Sequence, residues 1–320
     1  MNALEGRPIE LIAAPSSLGL RPGARGVEPG TWRAPAALLE AGMASALDAV
    51  GVVELPKPPY AIEPQPATRI RNGITLREHA LVLASAVEAT LSASRFPVVL
   101  GGDCSVLLGS LLGARRGGRC GLLHVDGHTD FFHPGNYDSA TRLGSAAGMD
   151  LALVTGRGEL LLTHWPEVGS PLVADEDVIQ IGDREAAVVG DGQLPPSIAR
   201  LTVQELLRVG IGQAVEQTAQ GFRRRGLARS WLHVDLDVLD RQVMPAVDSP
   251  GSPGLDFDQL AELISGLVRT AGVVGLDVTI YDPLRDRRTA YPAAIVACLA
   301  AGLAPLGGAR STSVGAEARA

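Results

Sequence analysis

The chain has 320 residues, 46% of them hydrophobic and 20% charged, with a formal net charge of −7. That composition supports a large core and excludes a chain disordered throughout, while the acidic balance and the absence of any Lys/Arg run exclude a basic nucleic-acid footprint. Three cysteines, Cys104, Cys120 and Cys298, are too few and odd in number for a disulfide framework.

The opening MNALEGRPIELIAAP has no basic stretch leading into a long apolar one, so no signal peptide is expected. Its PIELIAAP portion reads as the first buried strand. APAALLEAGMASALDAV follows at helical period. The Pro-rich ELPKPPYAIEPQPATRIRNG, residues 54–73, reads as a surface excursion. TLREHALVLASAVEATLSAS is a helix with Thr75 as its expected N-cap, and FPVVLGG, CGLLHVDGH and VIQIGD are three further strands. Then come a helix over TVQELLRVGIGQAVEQTAQGFRRRG, capped by Thr202, and the strand SWLHVDLDVL. The helix DFDQLAELISGLVRTAG, capped by Asp256, the strand GVVGLDVTIYD and the helix YPAAIVACLAAGL complete the series. Residues 311–320 are expected to fray.

The strands are continuously apolar rather than alternating, as a parallel sheet covered on both faces requires. Strands interleaved with helices give an α/β sandwich. No composition shift divides the chain, so one domain over 1–320 is expected. The longest apolar stretch, AAIVACLAAGLAPLGGA, suits a buried helix better than a membrane span. A soluble, cytoplasmic protein without nucleic-acid or membrane partners is therefore expected.

In open parallel sheets, ligands bind beyond the carboxyl ends of the strands. LLHVDGHTDFF places Asp126, His128 and Asp130 two residues apart, on one side of the chain if the backbone stays extended. HVDLDVLD repeats the spacing with Asp235 and Asp237. Four carboxylates and an imidazole so placed repel one another unless protons or cations neutralise them. Carboxylate oxygens with an imidazole suit Mn²⁺ and, less specifically, Fe²⁺, Co²⁺, Ni²⁺ or Zn²⁺. FPVVLGGDCSVLLGS leaves three readings for Cys104: metal ligand, small buried hydrophobe or nucleophile.

GGDCS, VDGHTDFF and HVDLDVLD resemble, in order, the GGDHS, DAHxD and SxDxDxxDP motifs of the arginase/agmatinase (ureohydrolase) family. The N-terminal APSSLGLRPGARGVEPGTWRAPAALLEAG and the C-terminal YPAAIVACLAAGL extend the resemblance over nearly the whole chain. It implies a three-layer α/β/α sandwich on a mainly parallel sheet of about eight strands, a homo-oligomer (trimer or hexamer), and two Mn²⁺ ions. It also implies hydrolysis of a linear C–N bond in a small guanidine or amidine: a guanidino, hydroxyguanidino or formimidoyl compound. By the same resemblance, Cys104, Asp126, Asp130 and Asp235 would hold one ion and Asp126, His128, Asp235 and Asp237 the other. A metal-bound hydroxide oriented by Asp130 would attack the amidine carbon.

The chain departs from the family pattern at three places. Cys104 replaces a histidine ligand and would shift preference towards Zn²⁺, Fe²⁺ or Ni²⁺. Ile280 stands where the family's E-x-N-P carries its glutamate, with Asp277 and Asp282 nearby, Asp282 being the candidate substrate contact. RLGSAAGMDLALVTG has alanines where arginases carry a histidine that serves the leaving amine, and His133 is the nearest substitute acid/base. Glu185 in QIGDREA matches a substrate-binding position, and Arg184 reads as structural. His124 and His233, in two HVD triplets, sit one strand step deeper and read either as supports for the ligating carboxylates or as satisfied core histidines. Two alternatives follow: a deacetylase-like single-metal amidohydrolase, or a catalytically degenerate member with a regulatory role.

Overall fold

The structure is a computed structural model that describes residues 6–185 and 194–307. The expected frayed tail lies outside the described residues. Eight strands, β1 (Ile9–Ala14), β2 (Gly51–Glu54), β3 (Phe96–Gly101), β4 (Gly121–Val125), β5 (Val178–Ile181), β6 (Ala199–Leu201), β7 (Ser230–Asp235) and β8 (Val273–Thr279), form one sheet. Its order is β2-β1-β3-β8-β7-β4-β5-β6, and every pairing is parallel. The helices are α1 (Ala34–Glu40), α2 (Met43–Ala46), α3 (Gly73–Ser92), α4 (Val106–Arg116), α5 (Asp150–Val154), α6 (Leu160–Thr163), α7 (Val203–Val209), α8 (Ile211–Arg224), α9 (Phe257–Thr270) and α10 (Pro292–Leu303).

The sheet is buried on both sides, and the two-residue period of its strands sorts side chains into two cores. Leu11, Val98, Leu123 and Leu232 pack into one core with α1 and with α8–α10. Their strand neighbours Ile12, Val99, Leu122 and Trp231 pack into the other with α3–α6. This is the expected three-layer α/β/α arrangement.

The six apolar runs are all strands, but β2 and β6 carried no apolar run to reveal them. Both are edge strands, and none of their residues is fully buried, so GVVE and ARL need little hydrophobicity. Two long helical stretches are each broken by a glycine. Gly42, at φ 93°, separates α1 from α2, and Gly210, at φ 87°, separates α7 from α8. Thr202 and Asp256 close reciprocal capping boxes, as expected. Thr75 does not cap: α3 begins at Gly73, and Thr75 is buried inside it. Gln65 serves that end instead, accepting from the Ile74 N–H at 2.9 Å while donating to the Thr75 hydroxyl at 2.8 Å.

Helix α4 is buried on nearly every side, which erases the helical period from its sequence. It lies so close to α3 that a Cβ on Gly113 would stand 2.6 Å from the Ala84 carbonyl oxygen. Among the described residues, no helix is long and apolar enough to cross a membrane.

Candidate metal centre

The central strands β3, β8, β7 and β4 end side by side, and three of the loops that follow carry the candidate residues. After β3 the chain turns at Gly102, where a Cβ would lie 1.9 Å from the Ser16 carbonyl oxygen, so only glycine fits. Asp103 is buried and acts as a brace. It accepts from the Ser16 hydroxyl (2.8 Å), the Gly19 N–H (3.1 Å) and the Ser105 N–H (3.0 Å), tying this loop to the one after β1.

The loops after β4 and β7 use the same local device, in which an aspartate accepts from the N–H two residues on. Asp126 takes the His128 N–H at 2.6 Å, and Asp235 takes the Asp237 N–H at 2.6 Å. The run from Asp126 to Asp130 is therefore not extended as expected. β4 ends at Val125, and Asp130 sits in the left-handed region at φ 43°. The turn nevertheless delivers its side chains to a common space. His128 Nδ1 lies 2.9 Å from Asp237 Oδ2, the Gly127 N–H donates to Asp237 Oδ1 at 3.1 Å, and the Cys104 thiol donates to Asp235 Oδ2 at 2.7 Å.

Cys104, His128, Asp130, Glu185, Asp235 and Asp237 line one cavity of about 430 Å³, with Arg21, Asp248 and Ser249 also on its walls. Asp126 is buried beside His128, and its Oδ2 has no hydrogen-bond partner. Burial and neighbouring carboxylates hold the carboxyl groups of Asp126, Asp130 and Asp235 well above their ordinary range. Burial, then Asp235, pushes the Cys104 thiol up as well, so the sulfur keeps its proton and the nucleophile reading loses its basis. Burial opposes charge on His128, but the bond to Asp237 prevails and raises it. Metal-capable atoms of Asp126, His128 and Asp237 lie within 4.8 Å of one another, as do those of Cys104, His233 and Asp235. An orphaned buried carboxylate oxygen amid acids that resist ionising fits a divalent cation.

Other expected residues are placed differently. Glu185 faces the cavity and is fixed by the Thr129 N–H (3.1 Å) and hydroxyl (2.5 Å). Asp282 is not among the lining residues. Its carboxylate takes the Gly30 and Leu284 N–H groups at 3.3 and 2.9 Å, which fastens two loops together. His133 also stands off the cavity: its ring packs edge-on against Phe131, and Nδ1 accepts from the Gly135 N–H at 3.1 Å. Asp277 is fully buried against His233 and Trp231 and cannot meet a ligand in the cavity. Arg184 is structural, donating to the Asp237 carbonyl at 2.5 Å and the Pro253 carbonyl at 3.0 Å. Ile280 lines the cavity at φ 71°, a strained conformation for a β-branched residue.

His124 and His233 do not hydrogen-bond the ligating carboxylates. They are registered partners on β4 and β7 with stacked rings 4.8 Å apart, and they meet Asp150, the first residue of α5. Burial lowers His124 to about 4, and burial raises Asp150 to about 8. Sequence reasoning missed Asp150 because an acid opening a helix is ordinary. It missed Gln180, which backs His124, because a strand glutamine carries no signal of its own.

The profile of the arginase family matches residues 8–303. The chain is 29% identical to arginase of Bacillus caldovelox over 306 residues, covering 92% of this chain and 97% of that protein. It is 28% identical to arginase-1 of Rattus norvegicus over 296 residues, covering 87% and 85%. The solved structure of the Bacillus caldovelox arginase superposes with a TM-score of 0.77 at 26% identity, over 92% of this chain and 97% of that one. A proclavaminate amidino hydrolase from Streptomyces clavuligerus shares the fold, with a TM-score of 0.66 at 19% identity, over 94% and 92%.

Proposed function

The chain belongs to the arginase family, and from that premise we propose that it is a metal-dependent hydrolase of a linear C–N bond in a small guanidino, hydroxyguanidino or formimidoyl compound. The observation that carries this reading is the convergence of Asp130, Asp235, Asp237 and His128 on one cavity, with Asp126 buried beneath and its Oδ2 unpartnered. Asp126, His128, Asp235 and Asp237 would hold one ion, and Cys104, Asp126, Asp130 and Asp235 a second. Manganese suits the oxygen donors, and the sulfur of Cys104 favours zinc, iron or nickel. Divalent ions there would supply Lewis acidity and lower the pKa of water.

The protein's own side chains supply the rest. Asp130, lining the cavity, would orient the attacking water. Glu185, held by Thr129, orients a donor group of the substrate. Arg21, at the cavity wall, offers a positive charge to a substrate carboxylate. Ile280 supports a substrate other than plain arginine, because an alkyl side chain replaces the family's guanidinium-binding carboxylate. A homo-oligomer in the cytoplasm belongs to the same reading, supported by three buried free cysteines and by the family.

Metal analysis and a screen for urea, ammonia and amine release test it together, over arginine, agmatine, guanidinobutyrate, hydroxyarginine and formimidoylglutamate. Two ions per chain in protein loaded with manganese alone and turnover of one compound are expected. Full stability in chelator with no bound ion would overturn the enzyme reading in favour of a regulatory protein.

A further inference from the structure

One strand step beneath the cavity, two imidazole nitrogens and a carboxyl group face one another, all buried. The orientation of Gln180 is fixed by its own bonds, since its amide nitrogen donates to the His128 carbonyl oxygen at 2.7 Å. Its Oε1 therefore accepts from His124 Nδ1 at 2.5 Å, so Nδ1 carries the proton and Nε2 is a bare lone pair in the neutral ring. His233 is set the same way. Its Nδ1 meets Asp277 Oδ1, which is held in turn by the Trp231 indole N–H, and this leaves Nε2 without a partner. Both lone pairs point at the Asp150 carboxylate: His124 Nε2 is 3.2 Å from Oδ1, and His233 Nε2 is 3.6 Å from Oδ2. All three residues are 0% exposed, and Asp150 Oδ2 also lacks a hydrogen-bond partner.

We propose that His124 Nε2, His233 Nε2 and the Asp150 carboxylate form a further, deeply buried binding site for one divalent transition-metal ion of the zinc type. Ligand atoms bonded to a tetrahedral zinc at about 2.0–2.1 Å stand roughly 3.3 Å apart, close to the 3.2 Å between His124 Nε2 and Asp150 Oδ1 and a little under the 3.6 Å between His233 Nε2 and Asp150 Oδ2. Two imidazoles and a carboxylate are an ordinary three-ligand zinc set, and a carboxylate or amide oxygen behind each Nδ1–H is the usual support for a ligating histidine. A fourth donor stands ready: the unpartnered Asp126 Oδ2 lies 3.9 Å from His124 Nε2. The site is distinct from the cavity ligands, although Asp126 would touch both. It is nitrogen-rich where the cavity has one histidine, so it selects zinc, cobalt or nickel over manganese. Its assignment does not depend on the reaction proposed above.

The test is an anomalous difference map at the zinc edge, from crystals of the full chain grown with zinc as the only divalent ion. A peak bonded to His124, His233 and Asp150 is expected. Peaks confined to the cavity carboxylates would overturn the site and leave a proton between Asp150 and the two imidazoles. In solution, His233→Gln and Asp150→Asn should each lose one zinc per chain by mass spectrometry, while Asp237→Asn keeps that ion. Unchanged zinc counts in both variants would also overturn it. The map needs no variant, so a misfolded substitution leaves the test intact. Failure of the release screen alone would count against the hydrolase reading and not against this site.

Discussion

At the scale of single residues, Cys104 has the most to decide. Its thiol donates to Asp235, and an arriving ion must displace that proton to gain a thiolate ligand. Sulfur matters to soft ions and little to hard ones. Cys104→Ser should therefore lower zinc affinity roughly tenfold or more while leaving manganese affinity within about threefold. Competition titrations with both ions would show it, and equal losses would mean that the sulfur only packs. The candidate ligands could be read in the sequence because few residue types serve as ligands and strand geometry repeats their spacing. The roles of Asp103, Asp150 and Asp282 could not, because a carboxylate that braces a loop looks the same in sequence as one that meets a ligand. Asp130 was anticipated by type, but its left-handed backbone was not, since aspartate reaches that region only in particular turns.

At the scale of elements, the interior of the sheet announced itself and its edges did not. A strand covered on both faces is built mainly from apolar residues, as FPVVLG is. The edges β2 and β6 face solvent in part and can be made of almost anything. Helices α1 and α2, and again α7 and α8, read as single helices because period alone does not register a glycine's change of direction. The α3–α4 contact belongs to this scale as well. Gly113→Ala places a methyl group 2.6 Å from the Ala84 carbonyl and 2.7 Å from Val87 Cβ, where neither helix backbone can yield freely. The substitution should destabilise the fold by about 1–3 kcal/mol. Urea unfolding should show a lower midpoint at unchanged slope, and an unchanged midpoint would mean that the two helices separate without cost.

At the scale of the whole molecule, the clustered acids govern the response to pH. In metal-stripped protein, burial raises Asp150 from its ordinary value to about 8, and Asp126, Asp130 and Asp235 move in the same direction. A carboxyl whose folded pKa is raised binds more protons folded than unfolded, so its contribution is complete below its unfolded pKa and is lost as pH rises through the folded value. Stripped protein should therefore lose thermal stability as pH rises from about 4 to about 8. Added zinc replaces those protons, binds more tightly as pH rises and should flatten or reverse the slope. Melting curves in chelator and in zinc test this, and parallel slopes would show that no ion enters the acidic cluster.

The strand order has a consequence for how the protein is made. β3 is synthesised early, yet its partner in the middle of the sheet is β8, with Val98 opposite Leu276. While the chain emerges from the ribosome, the loop bearing Cys104 waits for a neighbour encoded far downstream. Pairings that distant make folding slow, because a long loop must close before any contact rewards it. Until β8 docks, the acids that follow β4 and β7 have no wall beside β3 to complete their cavity, so an ion held there would have to enter after that docking.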